Sequence, residues 1–245
     1  MTKPKNTPVA RGVAYTALLL GTGALTGFMI FLYTGTFSVL DLGFGPAEIL
    51  FLDAGLSLLF FLQHSIMLRK GFRARALKYI PSPYFAPLFA ISSSLALFSL
   101  MIAWQESSYI LFSAEGMVRL LFRLLFLASV VGFAWSARAL NSLDAFGTKT
   151  LLRHIKNRGP EPSPLTIQGP YKFVRHPLYS FSLLMIWSSP EISADRLLFN
   201  GLWTAWIITG TLLEEKDLVR DFGEAYQKYQ KTVPMLIPLK LFFRQ

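Results

Sequence analysis

Long apolar runs constrain this chain more than any other feature of its sequence. The segment from Val13 to Tyr33 contains no charged residue, and a helix of about 20 such residues crosses about 30 Å of hydrocarbon. Similar runs recur, and only 16% of all residues are charged, against about 25% in soluble proteins. The first run is not followed by a clean signal-peptidase cleavage site composed of small residues, so we interpret it as a retained helix rather than a signal peptide. These patterns predict an all-α fold, a polytopic bundle of membrane helices.

Six membrane segments are expected, and the fifth is unusually short. We place them near residues 12–34, 46–68, 84–105, 117–141, 178–189 and 196–214. The fifth spans only about 18 Å before Pro190, at about 1.5 Å per residue. A bilayer tolerates an incomplete crossing where protein or water covers the backbone. The fifth and sixth segments are therefore predicted to form a hairpin beside a cavity, followed by an amphipathic helix from Asp217 to Lys231.

The distribution of basic residues predicts the orientation. Lys and Arg collect on the cytoplasmic side of membrane proteins, and this six-segment layout puts 21 of the 24 basic residues in inner segments. Both termini and the long loop from Asn141 to Arg175 are thus expected in the cytoplasm, with the protein in the inner or plasma membrane. The net charge of +10 indicates anionic headgroups, not nucleic acid, as the partner. With no cysteine and three scattered histidines, disulfides are excluded and no metal is expected.

Two charged clusters flank the predicted hairpin. The first lies between Gly169 and Tyr179, where Pro177 suits the first turn of a helix and Arg175 with free N–H groups would attract a carboxylate or phosphate. The second is Glu214-Glu215 at the end of the sixth segment, where two carboxylates require matching cations. Taken alone, the first is equally consistent with a basic membrane anchor, and the second with a charged helix end paired with Lys216.

Two further groups of polar residues lie elsewhere. Asp53 and His64 in the second segment are eleven residues apart, close to three helical turns, so both could lie on one face of the helix. Gln63 is the residue before His64 in the sequence. Ionisable groups at membrane depth are functional candidates, although a single histidine there is more often a packing residue. Asn141 and Asp144 begin the inner loop and are equally consistent with a helix cap and turn.

The motifs around the two charged clusters resemble those of a known superfamily. Its pattern is seen in Arg175-His176-Pro177-Leu178-Tyr179, Glu214-Glu215-Lys216-Asp217-Leu218, Phe222-Gly223-Glu224-Ala225-Tyr226, Tyr229 and Val233-Pro234. This combination is similar to the isoprenylcysteine carboxyl methyltransferase and phospholipid methyltransferase superfamily. Further matches resemble its methanethiol S-methyltransferase branch: Gln63-His64-Ser65-Ile66-Met67, Ile80-Pro81, Trp104-Gln105 and Asp144-Ala145-Phe146-Gly147. Phe181, Ser142 and Phe85-Ala86 depart from it, standing where the branch has Gly, His and Glu-Arg.

The resemblance implies a membrane methyltransferase that uses S-adenosyl-L-methionine, with its cofactor site on the cytoplasmic side of the C-terminal part. Residues 1–140 would then form the acceptor side and residues 141–245 the methyltransferase core. The residues expected to bind the cofactor are Tyr171, Arg175, His176, Pro177, Tyr179, Glu214 and Glu215. Those expected to contact the acceptor are Gln63, His64 and Asn141, and those expected in catalysis are His64, Asp144 and Glu214.

The expected acceptor is a small thiol such as methanethiol, which would become a thioether. A thiol reacts as its thiolate, so His64, near Asp144 or Gln63, is the candidate for assisting deprotonation. The alternatives within the enzyme class are a lipid amine and a prenylated cysteine carboxylate. Outside it are a haem-binding membrane isomerase or regulator, with His64 or His154 as axial ligand, and a catalytically silent scaffold.

Overall fold

The computed structural model describes residues 7–140, 144–159 and 164–238. Within these ranges the helices are α1 (Thr7–Thr34), α2 (Pro46–Leu68), α3 (Lys70–Ala76), α4 (Ser82–Ala103), α5 (Gly116–Ala139), α6 (Thr148–Ile155), α7 (Pro177–Trp187), α8 (Ala194–Phe222) and α9 (Glu224–Thr232). A short 3-10 helix covers Gly169–Lys172. Two short strands, β1 (Ile110–Ser113) and β2 (Glu191–Ser193), pair antiparallel. The predicted all-α membrane bundle is confirmed, with this small sheet as an addition.

Four helices in the described ranges are long and apolar enough to cross a membrane, namely α1, α2, α4 and α5. The protein is therefore an integral membrane protein, as predicted. The predicted fifth segment corresponds to α7, which has only 11 residues. The number of complete crossings stays a prediction.

The chain forms two compact units that interleave along the sequence. Unit 1 comprises Met1–Glu106 and Asp144–Pro162, and unit 2 comprises Ser107–Leu143 and Ser163–Gln245. This grouping differs from a division near residue 140, because α5 joins the C-terminal elements while α6 joins the N-terminal helices. The physical reason lies in the helix surfaces, since α5 packs against α7 and α6 packs against α1 and α4.

Small residues let the helices of unit 1 approach closely. The buried face of α1 carries Ala10, Ala14, Ala17, Gly21 and Ala24, spaced three or four residues apart so that they form one stripe. Helices in membranes associate through such small-residue surfaces, because backbones then come near enough for van der Waals packing. The stripe explains why α1 packs against both α4 and α6.

The segment Asp144 to Gly147 attaches α6 to this surface. Asp144 accepts hydrogen bonds from the backbone amides of Lys149 at 3.1 Å and Thr150 at 2.7 Å, so it caps the start of α6. A Cβ on Gly21 would lie 2.3 Å from the Phe146 ring, so glycine is required there. Gly147 has a positive φ of 68° that favours glycine. The alternative interpretation of Asp144 as a helix cap is correct.

Asp53 stabilises the opposite end of unit 1. Its carboxylate is fully buried and accepts a hydrogen bond from the backbone amide of Gln105, just after α4, at 3.1 Å. The Gln105 side chain then donates to the carbonyls of Leu40 and Ala103, each at 2.8 Å. These bonds hold the connection after α1 against the end of α4, so Asp53 has a structural role in the loop network.

In unit 2, α5 accommodates α7 through a stripe of small residues. Its buried residues include Ser129, Gly132 and Ser136, and a Cβ on Gly132 would lie 2.3 Å from the ring of Phe181 on α7. The bulky Phe181, which departs from the family pattern, is thus accommodated by the missing side chain at position 132. It fills the contact between helices rather than the cavity described below.

The C-terminal helices begin and end at positions that differ from the prediction. The sixth segment was expected to end at residue 214, with an amphipathic helix over Asp217 to Lys231, but α8 continues without a break to Phe222. No glycine or proline lies between Thr211 and Phe222, so nothing interrupts the helix. The chain turns at Gly223, which has a φ of 56°, and α9 follows. The prediction of one amphipathic helix that begins at Asp217 was therefore wrong, because residues up to Phe222 belong to α8 and α9 begins at Glu224.

The contact between Gly132 and Phe181 predicts a size-dependent change in stability. We expect Gly132→Ala to lower the free energy of unfolding by about 1–3 kcal/mol, because the added methyl group overlaps the ring. Thermal unfolding of the detergent-purified protein measures this. Gly201→Ala on α8 is the matched control, since its Cβ meets nothing within 4 Å and alanine favours a helix. Equal stability of the two variants, or no relief from adding Phe181→Ala to Gly132→Ala, would contradict the contact.

Candidate functional site

A cavity of about 270 Å³ in unit 2 brings the two predicted charged clusters together. This volume is near the lower end of the range for small-molecule sites, about 300–1,000 Å³. Its lining combines aromatic, aliphatic and charged side chains from the end of α5, the loop before α7, and α7, α8 and α9. The lining residues are Leu140, Pro164, Leu165, Thr166, Tyr171, Arg175, His176, Leu178, Tyr179, Glu214, Leu218, Phe222, Tyr226 and Tyr229.

The first turn of α7 borders this cavity. His176 is the N-cap and Pro177 the first helical residue, as predicted, while the Ser180 amide donates to the His176 carbonyl at 3.0 Å. The amides of Leu178 and Tyr179 precede any carbonyl of their own helix to which they could donate. Both residues line the cavity, and a helix N-terminus favours an anion.

The carboxylate of Glu215 is held at the centre of a hydrogen-bond cluster. Arg175 donates to both of its oxygens, from Nε at 2.9 Å and from Nη2 at 2.7 Å. His176 Nε2 lies 2.6 Å from Glu215 Oε1, and the Tyr226 hydroxyl donates to the same oxygen at 2.5 Å. Gln230 donates to Oε2 at 2.6 Å. Glu215 therefore binds the loop before α7 and the helix α9 to α8.

Arg175 also holds the segment that follows α9. Its Nη1 donates to the carbonyl of Gln230 at 3.2 Å and to that of Val233. The backbone amides of Arg175 and His176 donate to the carbonyls of Pro234 and Met235, at 2.9 and 3.1 Å. These donors are thus engaged within the protein, so a backbone donor to a ligand from this segment would have to come from the first turn of α7.

The ionisation of the cluster follows from these contacts. Burial by itself raises the pKa of Glu215, but hydrogen bonds from Arg175, Tyr226, Gln230 and His176 outweigh it and lower the pKa to about 2. Burial and the hydrogen bond to Glu215 raise the pKa of Tyr226. Glu215 is therefore a carboxylate, and Tyr226 a neutral phenol that donates to it, throughout the physiological range.

Glu214 faces the cavity although it is adjacent to Glu215. Its side chain is 43% exposed, against 9% for Glu215, because consecutive helical residues project about 100° apart. Its carboxylate hydrogen-bonds with the Tyr179 side chain, while its buried Oε2 has no hydrogen-bond partner among the described residues; His176 Nδ1 lies 3.8 Å from Oε2. Burial and then the charge of Glu214 raise the pKa of Tyr171 across the cavity. This oxygen is suited to a cationic ligand group.

The aromatic side chains give the cavity flat apolar walls. The rings of His176 and Tyr179 stack with centroids 5.7 Å apart, and those of Tyr226 and Tyr229 meet edge to face at 5.8 Å. The Tyr229 hydroxyl donates to the carbonyl of Tyr171, which fixes the 3-10 helix against α9. The cavity thus offers π faces beside a carboxylate, a combination that attracts cations.

The remaining predicted site residues lie in unit 1 or outside the described residues. His64 contacts the rings of Phe60 and Phe89, with centroids 5.5 and 4.9 Å away. Gln63 donates to the hydroxyls of Ser92 and Ser93 on α4, at 3.0 and 3.3 Å. Asp144 caps α6, as described above. Asn141 lies outside the described residues, as does Ser142. The pairing of His64 with Asp144 stays a prediction.

Sequence reasoning missed three partners of the predicted residues. Gln230 was not singled out, since a glutamine in an amphipathic segment is typical of an exposed face. Ser92 and Ser93 were also missed, although three consecutive serines, residues 92–94, inside an apolar segment were a usable signal. Polar side chains at membrane depth usually find partners on a neighbouring helix.

The pKa of Glu215 predicts how stability depends on pH. A carboxyl group with a lowered pKa in the folded state stabilises the protein above its unfolded pKa of about 4.5, and this contribution is lost as the pH falls towards 2. We expect the melting temperature in detergent to fall between pH 5 and pH 3, and Glu215→Gln to be destabilised by about 3 kcal/mol at pH 7 with a flatter profile. Glu224→Gln, at an exposed position of α9, should keep the parent profile; a parallel loss in both variants would contradict this.

Comparison with known proteins identifies the family. Residues 52–234 match the family described as NnrU protein. Methanethiol S-methyltransferase of Crocosphaera subtropica is 35% identical over 192 residues, covering 77% of this chain and 74% of that protein. The enzyme of the same name from a Pseudomonas species is 38% identical, covering 76% and 72%, and methanethiol S-methyltransferase 1 of Bradyrhizobium diazoefficiens is 32% identical, covering 78% and 68%.

No solved structure matches the chain. The relatives confirm the resemblance that the motifs indicated and, with it, the class of enzyme, a membrane methyltransferase. With the match extending over most of its length, the chain belongs to the NnrU protein family.

Proposed function

We propose that this protein is an S-adenosyl-L-methionine-dependent methanethiol S-methyltransferase whose cofactor site is the cavity in unit 2. The single observation that carries the site is the convergence, in one cavity, of the Glu214 carboxylate and the first turn of α7. The acceptor is proposed from the names of the relatives, which are methanethiol S-methyltransferases.

The residues of the cavity fit the charges of this cofactor. Its amino acid part is a zwitterion, so the ammonium group would pair with Glu214 and the carboxylate would accept from the amides of Leu178 and Tyr179. The faces of Tyr171 and Tyr179 suit the adenine and the sulfonium, the latter by cation–π attraction. When bound, the cofactor supplies an activated methyl group on a positively charged sulfur.

Arg175 and Glu215 are assigned a positioning role in this proposal. Their ion pair engages Nε and Nη2 of the guanidinium, and Nη1 donates to backbone carbonyls. The pair fixes His176 and the start of α7 relative to α8, and so sets the distance between the amide donors and Glu214. A displacement of the cofactor by even 1 Å slows a reaction that depends on alignment.

The acceptor half of the proposal rests on His64 and Gln63, with Asn141. A small thiol must lose its proton before it attacks, and His64 is an imidazole beside two aromatic rings and adjacent to Gln63. Asp144 is assigned to the support of α6, since both of its oxygens accept backbone amides. His64 is therefore the proposed group that orients or deprotonates the thiol.

The orientation follows from charge. The basic residues of the segment containing Arg175 and of the end of α8 lie at the same end of unit 2 as the cavity, and Lys and Arg face the cytoplasm in membrane proteins. We place the cofactor site and both termini on the cytoplasmic side, where a charged, water-soluble cofactor has access.

The function is tested by following the methyl group. Membranes containing the protein are incubated with methyl-labelled S-adenosyl-L-methionine and one acceptor at a time. The acceptors are methanethiol, a lipid amine and a prenylated cysteine peptide. We expect labelled volatile dimethyl sulfide when methanethiol is the acceptor, and no labelled product with the other two acceptors. Label in lipid or peptide would replace the acceptor but keep the enzyme class. A Soret absorption band in the purified protein, without affinity for the cofactor, would instead favour the haem-binding alternative.

The adjacent carboxylates are predicted to respond differently to the same substitution. Glu214→Gln should raise the dissociation constant for S-adenosyl-L-methionine about 10- to 100-fold, the effect of losing one hydrogen bond to a charged group, with little change in melting temperature. Glu215→Gln should lower both stability and affinity, because it disrupts the support of the site. Calorimetric titration and thermal unfolding measure the two effects.

Asp217→Asn is the control for these variants. Asp217 pairs with Arg220 on an exposed face of α8, and such exposed pairs contribute about 0–1 kcal/mol. Its removal should leave affinity and stability close to those of the parent. If Glu214→Gln lowers the melting temperature as much as Glu215→Gln and leaves affinity unchanged, Glu214 is a structural residue and the proposed binding mode is wrong.

His64→Ala is predicted to lower turnover with methanethiol while leaving the affinity for the cofactor unchanged. The deficit should shrink as the pH approaches the pKa of the thiol, since more thiolate then forms without help. Initial rates of dimethyl sulfide formation over a pH series give this profile. Parent-like turnover across the series would remove His64 from the mechanism, and a deficit independent of pH would restrict it to orienting the acceptor.

A further inference from the structure

A second cavity, of about 450 Å³, lies in unit 1, at the end where α1 and α4 begin. Its walls are mainly apolar, with Val9 and Ala10 from α1, Leu88 from α4 and Ile155 from α6. Four residues add polar groups beside these walls, namely Thr7, Tyr79, Tyr84 and His154. The cavity is thus a groove, open at one side, with an apolar interior and a polar rim.

Charge is strongly segregated between the two ends of unit 1. The elements that form the groove, or flank it, carry Arg11, Lys78, Lys149, Arg153, Lys156 and Arg158. Among the described residues of unit 1, the only acid at this end is Asp144, whose oxygens cap α6. The opposite end carries Asp41, Glu48 and Glu106. The mouth of the groove therefore has a positive potential that attracts an anionic group.

The helix α6 gives the groove the geometry of an interfacial site. Its Leu151 is fully buried against Ala10 and Ala14 of α1, and Leu152 packs on the same cluster. Lys149 and His154 on the same helix are exposed. A helix with one apolar face on the protein and cations on the other is suited to the headgroup region of a membrane. The groove then opens where acyl chains and phosphates meet.

We propose that this groove binds an anionic glycerophospholipid, with an acyl chain against Leu88 and Ile155 and the phosphate near His154 and the flanking cations. Basic pockets between membrane helices bind anionic headgroups in this way, and the charge of the rim selects against a zwitterionic lipid. The site lies within unit 1, and its existence does not depend on the reaction proposed for the cavity in unit 2.

The test compares retained lipids in the full-length protein. The protein is placed in nanodiscs of phosphatidylcholine and phosphatidylglycerol, extracted in mild detergent and analysed by native mass spectrometry. We expect phosphatidylglycerol to be retained at least about fivefold over phosphatidylcholine, the preference that one favourable cation contact gives near a membrane surface. Equal retention of the two lipids would overturn the proposal.

Two pairs of variants separate a built site from general attraction to a basic surface. Leu88→Trp fills the groove, whereas Leu95→Trp places the same side chain two turns further along α4 at an exposed position. His154→Glu changes the formal charge at the rim by one, whereas Arg75→Glu changes it by two on α3, outside the groove. We expect Leu88→Trp and His154→Glu to lower retention about fivefold and their controls to change it less than twofold. If Arg75→Glu has the larger effect, or Leu88→Trp has none, the attraction is a general surface property and the site does not exist.

Discussion

The hydrogen bonds to Glu215 are the interaction on which the candidate site depends. One carboxylate receives donors from Arg175 and His176 before α7, and from Tyr226 and Gln230 on α9. These residues are separated by up to 55 positions along the chain, as the Arg175 contact with the Gln230 carbonyl shows. A buried charge is costly to hold unless it is paired and hydrogen-bonded. The cluster satisfies this requirement, and the walls of the cavity are placed as a consequence.

Much of this arrangement was predictable from the sequence, because the signals are local. Apolar runs of about 20 residues set the long helices, Pro177 marks the start of α7, and the two charged motifs indicated that opposite charges would meet. That Glu214 and Glu215 point in different directions follows from the rotation between consecutive helical residues, but which of the two faces the cavity was not predictable. It depends on the rotation of α8 relative to α7 and α9, which follows from the packing of whole helices and leaves no trace in the spacing of residues.

Other contacts also depend on how the helices pack. The branch motif Asp144 to Gly147 docks α6: Asp144 caps the helix, Phe146 fits against Gly21, and Gly147 lies against Pro87. The catalytic role of Asp144 stays a prediction. Phe181 stands where the branch has glycine, and its ring lies opposite Gly132 on α5. In both cases a large side chain faces a glycine more than 45 residues away in the sequence. Such complementary pairs become visible only when the helices are placed side by side.

Two adjacent carboxylates on one helix can separate two roles, support of the fold and binding of a cation, that a single carboxylate could not combine. A residue that binds a cationic ligand must keep an oxygen available, so it cannot also be saturated by the donors that hold the fold together. The 100° rotation between consecutive helical residues turns Glu215 into the protein and Glu214 towards the cavity, so that the support of the site and the proposed binding use different side chains. A cation that enters the cavity would therefore meet the negative charge of Glu214, whose Oε2 accepts no hydrogen bond from the described residues, on a helix that the neighbouring residue has fixed in place.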